Sequence, residues 1–474
     1  MRKLLILFFL SVILATNSYA NDFTMAGYLK NETSVGLDTL NDVNKFKNIV
    51  GLSGEYKLSD SWVFFTSAKY WYDAAYDWSS KYDSAQHYMG HIQRNDWLRD
   101  CYLDYISDNL DIRLGKQQVV WGQSDGIAIL DRVNPFDLTE YWLPDLVDLR
   151  IPLWMVNVKY APKVDSVLQL LIVPDFEQST AAPPDAPFAF RSYRLFEGFR
   201  NTWLSGAGPV PPLPPAFLRG PLNTGIYYPG KKFKNSTFGV QWMDRIGDIE
   251  YTLNFLYGYY YSASTYNESP PAIPPITLNY ARRFKLWRLY GGSFNKTFTE
   301  SGPLQGITLR GDFAYYNDEP TYFGDVDTGS SAGVNRWDNI FWLIGIDKYV
   351  ATNWLVSFQY SQYIMQEDSP GGISPTTGKP YETFNRYTYG PQDEVENIFS
   401  LKIMTDFMHE RLKPEILWSW TDDNQGKVSP KVTYEVRDDL WVTTGIHFFY
   451  GNEYDSNGQF RDKNQIYLNV TYTF

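Results

Sequence analysis

The chain has 474 residues and a formal net charge of -12, and its mean hydropathy of -0.36 is that of a water-soluble protein. Yet 18% of residues are aromatic, with 16 Trp, 37 Tyr and 30 Phe. A helical membrane protein of this length needs several apolar runs of about 18 residues or more, and past the N-terminus there are none. The acidic surplus argues against nucleic acid as a partner, and the single cysteine, Cys101, excludes an internal disulfide and any multi-cysteine metal site.

Met1-Arg2-Lys3 precede an apolar run from Leu4 to Ala15, and Ser18-Tyr19-Ala20 ends the segment. A positive start, a short apolar stretch and a small-x-Ala end predict a secretory signal peptide over 1–20, with 21–474 as one domain. No cysteine follows the expected cleavage site, which argues against a lipid anchor.

Beyond it, apolar and polar residues alternate over short runs. Tyr251, Leu253, Phe255 and Tyr257 alternate with Thr252, Asn254, Leu256 and Gly258; Trp354, Val356, Phe358 and Tyr360 alternate with Leu355, Ser357, Gln359 and Ser361. A period of two puts one set of side chains on each face of a strand. The pattern predicts about 18 strands (16–18), near 23–37, 46–57, 61–73, 96–107, 110–118, 152–160, 166–173, 235–246, 248–261, 281–298, 304–317, 337–349, 352–366, 394–407, 410–421, 427–437, 439–452 and 461–474. Links between them alternate between tight turns and mostly longer segments at 74–95, 119–151, 174–234, 262–280, 318–336 and 367–393. Short turns at one end and long loops at the other mark a membrane barrel. The expected fold is therefore all-β: a transmembrane antiparallel up-and-down barrel with an inward-folded loop and long extracellular loops.

The link 119–151 is too apolar for a solvated loop. It holds Trp121, Ile127, Ile129, Leu130, Phe136, Tyr141 and Trp142, and Asn134-Pro135 followed by Asp137 reads as a helix start. It is expected to fold into the barrel mouth as a constriction, where Asp125, Asp131, Arg132, Asp137, Glu140, Asp145, Asp148 and Arg150 either line the passage or lock the segment to the wall. The lumen candidates by alternation are Arg113, Gln117, Lys159, Arg288, Arg310, Asp312, Lys402 and Glu415; structural hydrogen bonding is the competing role for each. Both signs occur, which predicts weak ion selectivity.

The run Arg113-Leu114-Gly115-Lys116-Gln117, with Val120-Trp121-Gly122, Ser124-Asp125-Gly126, Asn134-Pro135-Phe136-Asp137, Pro144-Asp145 and Arg150-Ile151-Pro152, resembles a family of Gram-negative outer-membrane proteins known only as a domain of unknown function. The motif is confined to about 113–154, while the overall likeness extends over the mature chain. The resemblance implies an outer-membrane barrel moving a hydrophobic or organic compound. It supplies no catalytic residues.

The link 174–234 holds 11 of the 27 prolines. Within it Tyr193, Phe196, Phe199 and Trp203 fall at helical spacing, with Arg191, Arg194 and Arg200 elsewhere around the circumference. A lid for an apolar solute, a collar for lipopolysaccharide phosphates and a loop packed on itself are the three readings of this segment. Gly122-Gln123-Ser124-Asp125-Gly126 matches the G-x-S-x-G pattern, but nothing pairs Ser124 with any of the four histidines (His87, His91, His409, His447), and tight turns at the glycines account for it more simply. His87 and His91 read as solvated. Asp325-Val326-Asp327-Thr328-Gly329 lacks the later ligands of a calcium loop. No phosphate-cradling loop or dinucleotide fingerprint occurs, so no cofactor is expected. Cys101 alternates with Leu103 and Tyr105 as a wall residue.

The chain ends Gln465-Ile466-Tyr467-Leu468-Asn469-Val470-Thr471-Tyr472-Thr473-Phe474. Phe474 and Tyr472 resemble the C-terminal signal by which the barrel assembly machinery takes up outer-membrane proteins. The expected partners are therefore that machinery, outer-membrane lipids and lipopolysaccharide, and a small organic or hydrophobic solute. The functional expectation is a passive channel. The alternatives are a plugged barrel serving as a receptor or structural component with a periplasmic partner, and, more remotely, a barrel enzyme using Ser124.

Overall fold

The computed structural model describes residues 22–38, 43–78, 82, 97–183, 186–192, 222–267, 278–325, 330–366, 370–374, 377–385, 387–388 and 392–474. The signal-peptide segment, His87, His91, residues 326–329 and residues 193–204 lie outside them.

Among the described residues, eighteen strands pair in chain order into one antiparallel ring. They are β1 (Phe23–Gly36), β2 (Val43–Lys57), β3 (Trp62–Asp73), β4 (Leu98–Ile106), β5 (Leu110–Gln117), β6 (Leu153–Lys163), β7 (Ser166–Val173), β8 (Thr237–Ile246) and β9 (Ile249–Tyr259). The ring continues through β10 (Leu286–Thr297), β11 (Ile307–Asp325), β12 (Ser330–Ala351), β13 (Trp354–Gln366), β14 (Val395–Met404), β15 (Leu412–Thr421), β16 (Gly426–Arg437), β17 (Leu440–Tyr450) and β18 (Gln465–Thr473). β1 closes it by pairing with β18 from Tyr28↔Thr473 to Gly36↔Gln465. Closure leaves no barrel strand with an unpaired edge, so the ladder can satisfy the strands' backbone groups without water.

Each expected strand has its counterpart, and the turns between β2 and β3, β4 and β5, β6 and β7, and β8 and β9 are tight at one end. Two expectations need correction. The link 318–336 is largely strand: β11 and β12 keep pairing out to Asp325↔Ser330, and Glu382–Phe384 adds to that projecting hairpin. No helix starts at Asn134-Pro135. The Asn134 side chain instead bridges two stretches of backbone, accepting from Val119 N at 2.8 Å and donating to Gln117 O at 3.3 Å on one and to Ile151 O at 3.0 Å on the other. A single helical turn forms later, at Leu146–Leu149.

The two faces of the wall differ as the alternation requires. Leu29, Val50, Tyr70, Trp154, Leu253, Phe313, Ile344, Phe358, Trp418 and Leu468 are exposed on the outside. Inward positions are polar in the lower half. In the upper half β6–β12 carry an apolar inner surface (Met155, Leu171, Leu256, Trp287, Leu289, Ala314, Leu343), which Trp121, Ile129, Leu130 and Val133 cover. A second apolar core joins Phe136, Leu138, Tyr141 and Leu149 to Ala186, Phe188 and Phe190, and to Phe449 and Phe460 of the opposite wall and its loop.

Candidate functional site

The segment between β5 and β6 enters the barrel as expected, and its tip is fixed by three strands. Asp312 on β11 accepts hydrogen bonds from Gln123 N at 2.8 Å and Ser124 N at 3.1 Å. Arg310, two residues earlier and so on the same face, donates to Gln123 O and to Asp125 Oδ2 (2.8 Å), and its Nε donates to Asp347 on β12 at 2.8 Å. Gln359 on β13 accepts from Asp125 N at 3.1 Å and donates to Asp125 O at 3.2 Å. Gly122 is required here: its φ is +95°, and an added Cβ would lie 2.8 Å from Asp312 Oδ2. Ser124 Oγ donates to Ile127 O, so it serves the turn.

Below the tip, a relay of amides holds Trp121. Its Nε1 donates to Gln169 Oε1 at 2.9 Å, Gln169 Nε2 to Asn157 Oδ1 at 2.9 Å, and Asn157 Nδ2 to Gln117 Oε1 at 3.1 Å. Gln117 is thereby buried in the wall and lines no passage.

The far limb of the segment meets a row of cations on β2–β4. Glu140 pairs with both Lys45 and Lys47, the latter at 2.7 Å. Asp148 pairs with Lys69 at 2.6 Å. Arg99 donates to Arg150 O at 2.7 Å. Burial pushes the Glu140 carboxyl up, but Lys45 and Lys47 outweigh it and hold the group far below the usual carboxylate range. Asp148 is lowered in the same way, with burial opposed by Lys69. Asp131 and Arg150 form a buried pair within the segment, Nε to Oδ2 at 2.8 Å; there burial dominates and Asp131 is raised despite Arg150. Asp137 accepts from Thr139 N and Thr180 Oγ1. Arg132 lies 5.5 Å over the Tyr316 ring, and Asp145 is exposed beside the helical turn.

Most of the segment's charges therefore lock it in place. A cavity of about 100 Å³ remains between its far limb and the wall, lined among others by Lys47, Lys69, Trp71, Arg99, Glu140 and Asp148. Further down, the inward positions stay polar. Arg113 grips Asp104 at 2.7 and 2.8 Å and covers the Tyr102 ring. Glu415 faces Lys431 at 3.2 Å. Lys159 and Lys402 share the inward register of Gln169 and Ser357.

Arg288 is the exception. Buried Trp287 and Leu289 flank it on the inner face, so Arg288 points outward with exposed Tyr290 and pairs with Asp318 at 2.9 Å. Its neighbours are a glycine-rich stretch, and the inward row there is apolar (Trp287, Leu289) because the inward segment covers it. That inverts the rule that the polar set faces in. The wall partners Lys45, Lys47, Lys69, Arg99 and Gln359 were not singled out in the sequence. Lys45 and Lys47 do share one face of β2, which is the signal that could have found them.

Arg191 donates to Thr388 O at 2.6 Å and covers Tyr454 at 4.1 Å, and Phe190 is buried in the second apolar core. Tyr472 and Phe474 lie on the outer face, and Phe474 exchanges backbone hydrogen bonds with Gly27. Cys101 sits on the outer register of β4 with Leu103. His447 is within reach of Ser429 (3.1 Å), far along the chain from Ser124.

No curated protein matches the sequence. Among solved structures the chain is similar to OccK11 (OpdR) of Pseudomonas aeruginosa, at 9% identity, covering 95% of this chain and 96% of that one with a TM-score of 0.48. It is also similar to OccAB3 of Acinetobacter baumannii, at 12% identity, 96% and 99% coverage and a TM-score of 0.48, and to OmpF of Salmonella typhi in complex with daunomycin, at 10% identity, 95% and 97% coverage and a TM-score of 0.40. Residues 37–474 match the family described as a protein of unknown function, DUF1302, and the chain belongs to that family.

Proposed function

We propose that this protein is an outer-membrane channel through which a small organic or hydrophobic compound passes passively. The observation that carries the reading is a closed barrel, apolar outside and polar inside except where the inward segment covers its apolar inner wall, narrowed by that segment, which the wall holds in place. Hydrocarbon suits the outer face and the ring has no edge to expose. In this reading the signal peptide 1–20 is removed on export, and Phe474 with Tyr472 present the chain to the barrel assembly machinery. Solute moves through the cleft between the far limb of the segment and β1–β4, past Lys47, Lys69, Arg99, Glu140 and Asp148. Mixed charge there gives weak ion selectivity. The reading assigns no catalytic step and no cofactor.

Purified protein in planar bilayers tests it. Discrete conductance is expected, larger after deletion of 122–148. Absence of conductance in both forms refutes the channel.

A second reading is a plugged barrel acting as a receptor or outer component of an assembly with a periplasmic partner. The observation favouring it is the apolar core that spans the mouth from Tyr141 to Phe449 and Phe460. Liposome uptake of sugars, organic acids and lipids separates the two: flux without a partner supports the channel, and flux only with one supports the assembly component.

A further inference from the structure

Arg288 poses a question the channel does not answer, because it is a cation on the lipid side of the wall. A charge there is tolerable only near an interface, where the bilayer penalty fades. Arg288 lies near the start of β10, at the end of the barrel that carries the long links and hence the extracellular end. It does not stand alone. Arg288 and Arg336 share one carboxylate, Asp318, each at 2.9 Å. The Arg288 guanidinium lies 5.6 Å from the Tyr257 ring. Tyr257 pairs in register with Phe238 on β8, and Phe238 packs edge-on against Phe233 with centroids 5.9 Å apart.

Phe233 sits in the run Lys231-Lys232-Phe233-Lys234, just before β8. Its side chain is 68% exposed. Lys231 is engaged with Asp175 at 2.8 Å, whereas Lys232 and Lys234 are exposed and no carboxylate lies in ion-pair range of either among the described residues. Contacts and register thus connect five adjacent strands, β8 to β12, into one rim. It presents five cations, Lys231, Lys232, Lys234, Arg288 and Arg336, against four acids, Asp175, Glu177, Asp318 and Asp338. That balance is positive, in a chain whose net charge is -12. Phe238 and Tyr257 lie level with Arg288, and Phe255, Tyr290 and Tyr315 lie one step beneath it, the rings that settle at a membrane–water boundary.

We propose that this rim binds lipopolysaccharide, with Lys232, Lys234, Arg288 and Arg336 on the phosphates of its lipid A and Phe233 against the acyl chains. Planar guanidiniums and mobile ammoniums both suit phosphate oxygens, and desolvation near the acyl region strengthens such contacts. Among the described residues Arg288 and Arg336 have one carboxylate between them, Asp318, and beside it Arg288 donates only to Asn317 Oδ1 and Arg336 only to Leu286 O, so N–H groups of both guanidiniums are left for a second anion. The inference rests on the outer-membrane placement but is independent of whether the lumen conducts. It also differs in location from a collar on Arg191, whose guanidinium is occupied by Thr388 and Tyr454.

The test uses the full-length folded protein in detergent, incubated with diphosphoryl lipid A or its dephosphorylated counterpart, and quantifies retained lipid by mass spectrometry after size exclusion. Wild type is expected to retain the diphosphoryl form and not the dephosphorylated one. Retention is expected to fall at least tenfold in K232E/K234E and in R288Q/R336Q. K232R/K234R should retain it. Lys348→Glu, on the same outer face but at the opposite end of β12, should change nothing. Heat-dependent gel migration verifies that each variant is a barrel; if R288Q/R336Q does not fold, the lysine pair lies before β8 and decides the matter. Equal retention by K232E/K234E, equal retention of dephosphorylated lipid A, an equal loss in K348E or displacement by equimolar phosphatidylglycerol overturns the assignment. Loss of conductance with retention intact refutes the channel reading alone.

Discussion

Asp312→Ala is the most direct test of how the inward segment is held. The carboxylate receives two backbone N–H groups, from Gln123 and Ser124. Hydrogen bonds to a charged group contribute about 1.5–3 kcal/mol each. Lumen water can take over part of what is lost, and Arg310 still holds Gln123 O and Asp125. The net loosening of the tip is therefore about 2–4 kcal/mol, less than the sum of two charged bonds. At 1.4 kcal/mol per factor of ten, the detached fraction rises between about thirtyfold and nearly a thousandfold. Leu130 is fully buried beneath the tip and reports detachment. In a Cys101→Ala background, Leu130→Cys should react slowly with a water-soluble thiosulfonate, and the added Asp312→Ala should accelerate labelling by that range. In bilayers the same substitution should add open-state noise. A labelling rate within a factor of about two of the parent refutes the clamp.

Three further outcomes follow from the same contacts. Glu140 and Asp148 have folded values below the ordinary 4.5 and 3.8, so their contribution is complete above those values and is lost as pH falls beneath them; conductance should stay steady from neutral pH down to about 5, and become noisy only in stronger acid, whereas E140Q should be noisy at neutral pH. Phe460 is fully buried among Tyr141, Phe188, Phe190 and Phe449, so Phe460→Ala should cost the mouth about 3–5 kcal/mol and expose the extracellular loops to limited proteolysis while the barrel resists. Removing Phe474 should slow assembly into outer membranes, measured as heat-modifiable protein after a pulse, and leave the conductance of the barrels that do form unchanged.

The barrel was legible because lipid imposes a rule on every strand. From Ile466 to Phe474 every second residue is apolar, and each of those faces outward. The rule stops where lipid stops. Above the membrane no lipid forces one face of the β11–β12 hairpin to be apolar, and Glu319, Thr321 and Tyr322 are buried there without an apolar alternation, so Pro320, Gly324 and Gly333 looked like loop although the ladder continues through them. Asn134 illustrates the same limit at shorter range. Its side chain has the chemistry of a helix cap, but Val119, Gln117 and Ile151 offer it backbone partners that only the completed fold brings near. The loop charges could be read as lining or locking; register decides, because Lys45, Lys47 and Lys69 come from strands distant in sequence.

Arg288 and Arg310 show what distinguishes the roles of similar residues on this wall. Both lie on neighbouring strands, β10 and β11, and both contact carboxylates at 2.8–2.9 Å. Arg310 points inward, nearly buried, and spends its donors on Gln123, Asp125, Asp347 and Ser357, so removing any one carboxylate leaves a charge with fewer partners in a confined site. Arg288 points outward and shares its carboxylate with Arg336, so that pair has donors to give away. The sign and strength of a cation's effect here follow from the face it occupies and from whether its carboxylates are shared. R310Q should therefore disturb the constriction without altering lipid retention, and R288Q/R336Q should do the reverse. A variant set in which both readouts move together would mean that the two faces are not independent.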